Sequence, residues 1–155
     1  MRGTFHAACT VWHMITISEV GTGDLGAAWR ALSDVESWPS LLPTVSSVLP
    51  RGGTEGLHVG ACFEISQPRL RKAEYVVTEL EAGRCFAWRA RTPGLTTTAS
   101  HRVEAEPDGM CRVTLAIRWA GPLAFVARLG YSRLARSYMH QEASAVLRIA
   151  ADHVA

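Results

Sequence analysis

Residues 32–48 read LSDVESWPSLLPTVSSV. Trp38 stands beside Pro39, a second proline follows at Pro43, and the text then turns to alternation through Val45 and Val48. Pro39 fits the first turn of a helix, where its missing N–H costs nothing, but Pro43 cannot continue one. The segment is therefore expected to form one short helical turn starting at Ser37, followed by a strand. Trp38, Leu41 and Leu42 then need something apolar to cover. The prolines keep the segment short and turned, a corner in the chain.

Upstream of the corner, Asp24 is a candidate N-cap, with Leu25, Ala28, Trp29 and Leu32 at helical spacing behind it. Before that, VWHMITISE (11–19) alternates and is β-branched, so it reads as a strand. Downstream, strand-like runs alternate with short turn signals as far as residue 120: GACFEISQP, RKAEYVVTELE, CFAWRAR, LTTTASHRVEAE and MCRVTLAIRWA, the last preceded by the turn PDG. With the run after Pro43 this makes about seven strands in an antiparallel meander. From Pro122 the period becomes helical. On a wheel, Tyr131, Leu134, Ala135, Tyr138, Met139, Ala143, Val146 and Ala150 share one face of a long C-terminal helix, placed at about 124–152.

The 155 residues suit one domain, 48% hydrophobic and 19% charged residues make it globular, and no apolar run reaches the ~20 residues that span a bilayer. No stable membrane insertion is expected. The first 13 residues lack the long apolar core of a signal peptide and read as a loose N-terminal extension, so a single domain over 1–155 in the cytoplasm is expected. The net charge is +2 with scattered arginines, which argues against a nucleic-acid partner. The four cysteines make no CxxC pair and no histidine cluster completes a metal-ligand spacing, so neither metal nor cofactor is expected. GxSxG, P-loop and GxGxxG motifs are absent.

ITISEVGTGDLGAAWRALSDVESWPSLLPTVSSV (15–48) resembles the opening of the START-like (SRPBCC, Bet v 1-like) superfamily. VTELEAGRCFAWRARTPG and ASHRVEAEPDGMCRVTLAIRWAGPL look like its middle strands, and YSRLARSYMHQEASAVLRIA like its closing helix. Within it the chain looks like the branch of polyketide cyclases and dehydrases. The resemblance implies an α+β helix-grip fold. In it a curved seven-stranded antiparallel sheet wraps a long C-terminal helix, two short helices follow strand 1, and a cavity lies inside. It also places the corner around Trp38 at the cavity mouth. One departure is plain: the Trp-x-Ser-x-Arg alternation of the aromatase branch has no counterpart in EYVVTE (74–79).

Strand alternation points Phe63, Gln67, Tyr75, Trp88, His101 and Trp119 inward. With Trp38 at the mouth and Tyr138 and Met139 on the helix, these are the expected ligand contacts. Glu142 falls near the centre of the helix's apolar face, where a carboxylate is costly without a partner or a role. His101 and Glu142 are the candidate catalytic pair. Burial should raise the carboxyl pKa and lower the imidazole's, bringing both nearer neutrality. The expected function is binding of a polyketide-like or lipid-like apolar molecule and steering its aldol cyclisation or dehydration. The alternative is a carrier without catalysis. The residues leave the oligomeric state open, and a homodimer is compatible with them.

Overall fold

The computed structural model describes residues 15–53 and 56–154. The proposed N-terminal extension, residues 1–13, and the first part of the expected first strand lie outside these. Seven strands form one antiparallel sheet: β1 (Ile15–Thr22), β2 (Ser47–Arg51), β3 (Cys62–Ser66), β4 (Ala73–Glu81), β5 (Cys85–Thr92), β6 (Leu95–Glu106) and β7 (Met110–Ala120). The helices are α1 (Leu25–Ser33), α2 (Trp38–Leu41) and α3 (Ala124–Asp152), with a 3₁₀ turn at Val35–Ser37. This is the helix-grip architecture. None of the helices among the described residues is long and apolar enough to cross a membrane.

In the sheet order β1-β7-β6-β5-β4-β3-β2, strands β2 to β7 lie beside one another in chain order and β1 pairs with β7. Ile17 pairs with Leu115 there, and both are buried. Between β4 and β5 the register shifts at Val77/Glu79. Such a bulge adds twist and resets which side chains face inward. Tyr75 and Val77 face in before it, and Leu80, opposite Phe86, packs on the core after it.

Asp24 caps α1 by accepting from the Ala27 amide at 2.7 Å. The buried face of α1 is made of small residues, Ala27, Ala28 and Ala31, with Leu32. That lets α1 lie close to α3. Pro39 sits in the first turn of α2, which ends at Leu41, two residues short of Pro43. The buried Trp38 indole donates to the Ala31 carbonyl at 3.3 Å, so α2 is tied back to α1.

The two halves of α3 differ. Met139, Ala143, Ala145, Val146 and Ala150 are buried in the second half, which packs on β1, β7 and α1. In the first half only Ala127 is buried, while Leu134 and Ala135 are half-buried and Tyr131 is exposed. The apolar stripe read from the wheel is thus used as core only at its C-terminal end. The N-terminal half stands away from the sheet.

Gly121 opens the link from β7 to α3 with φ of 104°, and a Cβ there would lie 2.7 Å from the Gly94 carbonyl oxygen. That carbonyl accepts from the Leu123 amide at 2.9 Å, joining the β5–β6 turn to the start of α3. A Gly121→Ala variant should lose about 1–2 kcal/mol through the strained φ and the backbone clash. Chemical unfolding of the two proteins side by side is the check.

Candidate ligand cavity and acid–base site

A cavity of about 690 Å³ lies between the sheet and the standing-off half of α3. Its size falls in the ordinary range for small-molecule sites, ~300–1,000 Å³. The closed end is lined by Trp38, Trp88, His101 and Leu115, all buried. The open end is lined by exposed residues of three segments: Arg71 and Lys72 in the β3–β4 turn, Thr92 and Pro93 in the β5–β6 turn, and Leu123, Val126 and Tyr131 around the start of α3. The mouth therefore differs from the expectation. The corner at residues 35–42 covers the closed end; Trp38 reaches the cavity, Leu42 is buried in the core and Leu41 packs against it. The physical reason is the stand-off of α3, which opens the far end instead.

Among the expected contacts, Trp38, Gln67, Tyr75, Trp88, His101, Trp119, Tyr138 and Met139 line the cavity, as does Glu142. Phe63 lies behind the wall, its ring centroid 6.4 Å from that of Trp88. Trp88 is the hub of an aromatic cluster, with centroids 5.0 Å from Tyr75, 5.3 Å from Phe86 and 5.3 Å from Trp38. Edge and tilted contacts of this kind fix ring orientations beyond what area burial alone does.

Glu142 sits at the centre of a polar group. Its carboxylate accepts from the Thr44 hydroxyl at 2.8 Å and from the Gln67 amide at 3.3 Å. Burial raises its pKa to about 7, and the two hydrogen bonds, which favour the charged form, restrain the rise. The Tyr75 hydroxyl is held neutral, pushed up to about 12 by burial first and then by the nearby Glu142 charge. Tyr138 donates to the Pro68 carbonyl and so latches α3 onto the β3–β4 turn beside the mouth. Thr44 escaped the sequence reading. The signal was present: a lone hydroxyl in the apolar run LLPTV, fully buried here.

His101 occupies a different environment. It stacks on Phe86, with centroids 4.3 Å apart and planes 9° from parallel, and it meets the edge of Trp88. Its Nδ1 is buried and has no hydrogen-bond partner among the described residues. Burial lowers its pKa to about 3, against a smaller upward pull from the Phe86 backbone. Both directions agree with the expectation, yet only Glu142 approaches neutrality; His101 moves away from it. The carboxylate's hydrogen bonds run to Thr44 and Gln67, not to His101.

Solved structures share this architecture. A hypothetical protein of Helicobacter pylori superposes with a TM-score of 0.75 at 14% identity, covering 87% of this chain and 86% of its own. Norcoclaurine synthase of Thalictrum flavum, in complex with dopamine and hydroxybenzaldehyde, gives 0.71 at 11% identity, over 91% of this chain and 87% of its own. The di-domain aromatase/cyclase StfQ of the steffimycin biosynthetic pathway gives 0.65 at 15% identity, over 89% of this chain and 50% of its own. At these identities the likeness is one of fold. No curated protein sequence matches the chain. The family model described as polyketide cyclase / dehydrase and lipid transport matches residues 24–155, from the α1 cap through the end of α3, and the chain belongs to that family.

Proposed function

We propose that this protein binds an apolar, carbonyl-bearing molecule of polyketide type and steers its aldol cyclisation and dehydration, with Glu142 moving the proton. The observation that carries this reading is a carboxyl group on an otherwise largely apolar cavity wall, held by Thr44 and Gln67, with its pKa brought to about 7. A group poised near the working pH is populated both as base and as acid. As carboxylate, Glu142 takes a proton from a carbon next to a carbonyl. The enolate carbon bonds to a second carbonyl of the same molecule, whose oxygen takes the proton and becomes a hydroxyl. In dehydration Glu142 removes a second such proton and the hydroxyl departs, reprotonated, as water. The cavity's part is to hold the chain folded, which turns an intermolecular search into a positioned contact.

The other polar groups orient the guest. Tyr75 remains a neutral hydroxyl and can donate to a guest carbonyl. His101, neutral at any working pH, offers a hydrogen bond at the closed end and does not trade protons. Norcoclaurine synthase, of the same fold, is solved with dopamine and hydroxybenzaldehyde, which supports the reading that this fold admits small aromatic guests.

Trp88→Ala tests the binding half. It should weaken an environment-sensitive apolar dye about tenfold, the scale of losing a large apolar contact, while far-ultraviolet circular dichroism holds. Equal dye affinity in both proteins would remove the cavity from the argument. Binding of polyketide-like molecules without turnover would favour a carrier of lipids or apolar metabolites.

A further inference from the structure

The open end of the cavity has a surface that the cavity itself does not explain. Leu129 is 74% exposed, Phe125 67% and Val126 61%, with Leu123 beside them at the helix start. Large apolar side chains this bare, grouped within two turns, mark a surface that meets something. The charges around them have one sign. Arg128, Arg133 and Arg136 are exposed on the same half of α3, and Arg69, Arg71 and Lys72 are exposed in the β3–β4 turn, the last two lining the mouth. From Gly109 to Gln141 the chain carries no aspartate or glutamate. Lys72 leans on Glu64 at 3.9 Å, and the five arginines make no ion pair among the described residues. In a chain whose net charge is only +2, two basic side chains, Arg71 and Lys72, line the opening itself, and three more are exposed on the helix that bounds it.

We infer that this face, the first half of α3 with the β3–β4 turn, docks reversibly on an anionic phospholipid surface, setting the cavity mouth against the bilayer. Apolar side chains entering the headgroup boundary, backed by basic ones facing anionic lipid, are the two components of interfacial binding. Neither suffices alone, and here they share one helix. The arrangement also suits the traffic of an apolar guest. Leu123 and Val126 belong both to the exposed patch and to the cavity lining. A guest could then pass between bilayer and cavity without crossing water. The surface stands on its own observations and does not depend on any chemistry at Glu142.

The experiment is co-sedimentation of the intact protein with vesicles of phosphatidylcholine alone, and with vesicles of which about one third is phosphatidylserine. Binding to the anionic vesicles should be at least tenfold tighter and should fall as salt is added. The pair Phe125→Asp with Leu129→Asp, and separately the pair Arg133→Glu with Arg136→Glu, should abolish it. Both pairs are on exposed sites, so circular dichroism and cavity dye binding should be unchanged. Equal binding to the two vesicle types, or wild-type binding by the charge-reversed pair, overturns the inference. So does a wild-type dimer that the aspartate pair dissociates while neither protein binds vesicles, because the patch is then a subunit contact. Retention by an acidic protein without any vesicle binding overturns it too.

Discussion

Replacing Glu142 with glutamine should leave guest affinity within a few-fold of the native value and lower turnover of a polyketide-like substrate by about 10²–10⁴, the usual worth of a positioned general acid–base group. Glutamine keeps the shape and can still accept from Thr44 and Gln67, the two partners of the native carboxylate. It cannot take or return a proton. The split matters more than the size of the loss. A group that only binds the guest would lose affinity and turnover together, whereas a proton carrier loses turnover alone. The native rate should also bend near pH 7, where the Glu142 carboxyl changes form, and that bend should vanish in the variant. His101→Phe is the companion. It removes an orienting hydrogen bond from a site that is already aromatic on several sides, so it should raise KM and leave the bend in place. If turnover in the glutamine variant matches the native rate, Glu142 is only a tolerated polar group and the carrier reading takes over.

What was legible in the chain was local. Asp24 three residues before the Ala27 amide, Pro39 and Pro43 bracketing a single turn, and the turns between strands each act over a few residues, so composition and spacing were enough. Inward alternation also held for His101, Trp88 and Trp119, because the β5–β6 and β6–β7 ladders run without a register shift. In β4 the same alternation placed Tyr75 inward, where it lines the cavity, and its neighbour Val76 is exposed; the register shift at Val77/Glu79 comes after both. The partners of Glu142 were not legible. Thr44 and Gln67 lie 98 and 75 residues away in sequence, and only closure of the sheet around α3 brings them together. The mouth was misplaced for a related reason. A helical wheel shows which side of α3 is apolar, but not where along its length the sheet stops touching it. Tyr131 and Leu134 satisfy the period as well as Val146 does, yet only Val146 is core.

The stability of the protein should change little between pH 4.5 and 6.5 on account of the half-buried Glu142 and the buried His101, and each single variant should expose a slope that the other group conceals. The Glu142 carboxyl rises from 4.5 to about 7 on folding. Between those values the native state holds a proton that the unfolded chain has released. Its contribution is therefore full at low pH and is lost as pH climbs toward 7. The His101 imidazole falls from 6.5 to about 3. Over that range the unfolded chain holds a proton that the native state refuses, so its contribution is full above 6.5 and is lost as pH falls toward 3. The windows overlap from 4.5 to 6.5, where the slopes are opposite and nearly equal. Each is worth about 1.4 kcal/mol per pH unit at full strength, and less for Glu142 to the extent that water fills the cavity beside it. In Glu142→Gln the falling slope is gone, so stability should climb with pH by roughly 2–3 kcal/mol across the overlap. In His101→Phe the rising slope is gone, so stability should drop across the same interval by about 1–3 kcal/mol. Urea unfolding at several pH values measures all three curves. Parallel curves for the native protein and both variants would mean that neither group is shifted by burial. The proposed acid–base role of Glu142 would then lose its physical basis, because an ordinary carboxyl group is almost fully ionised at pH 7 and has no proton to return.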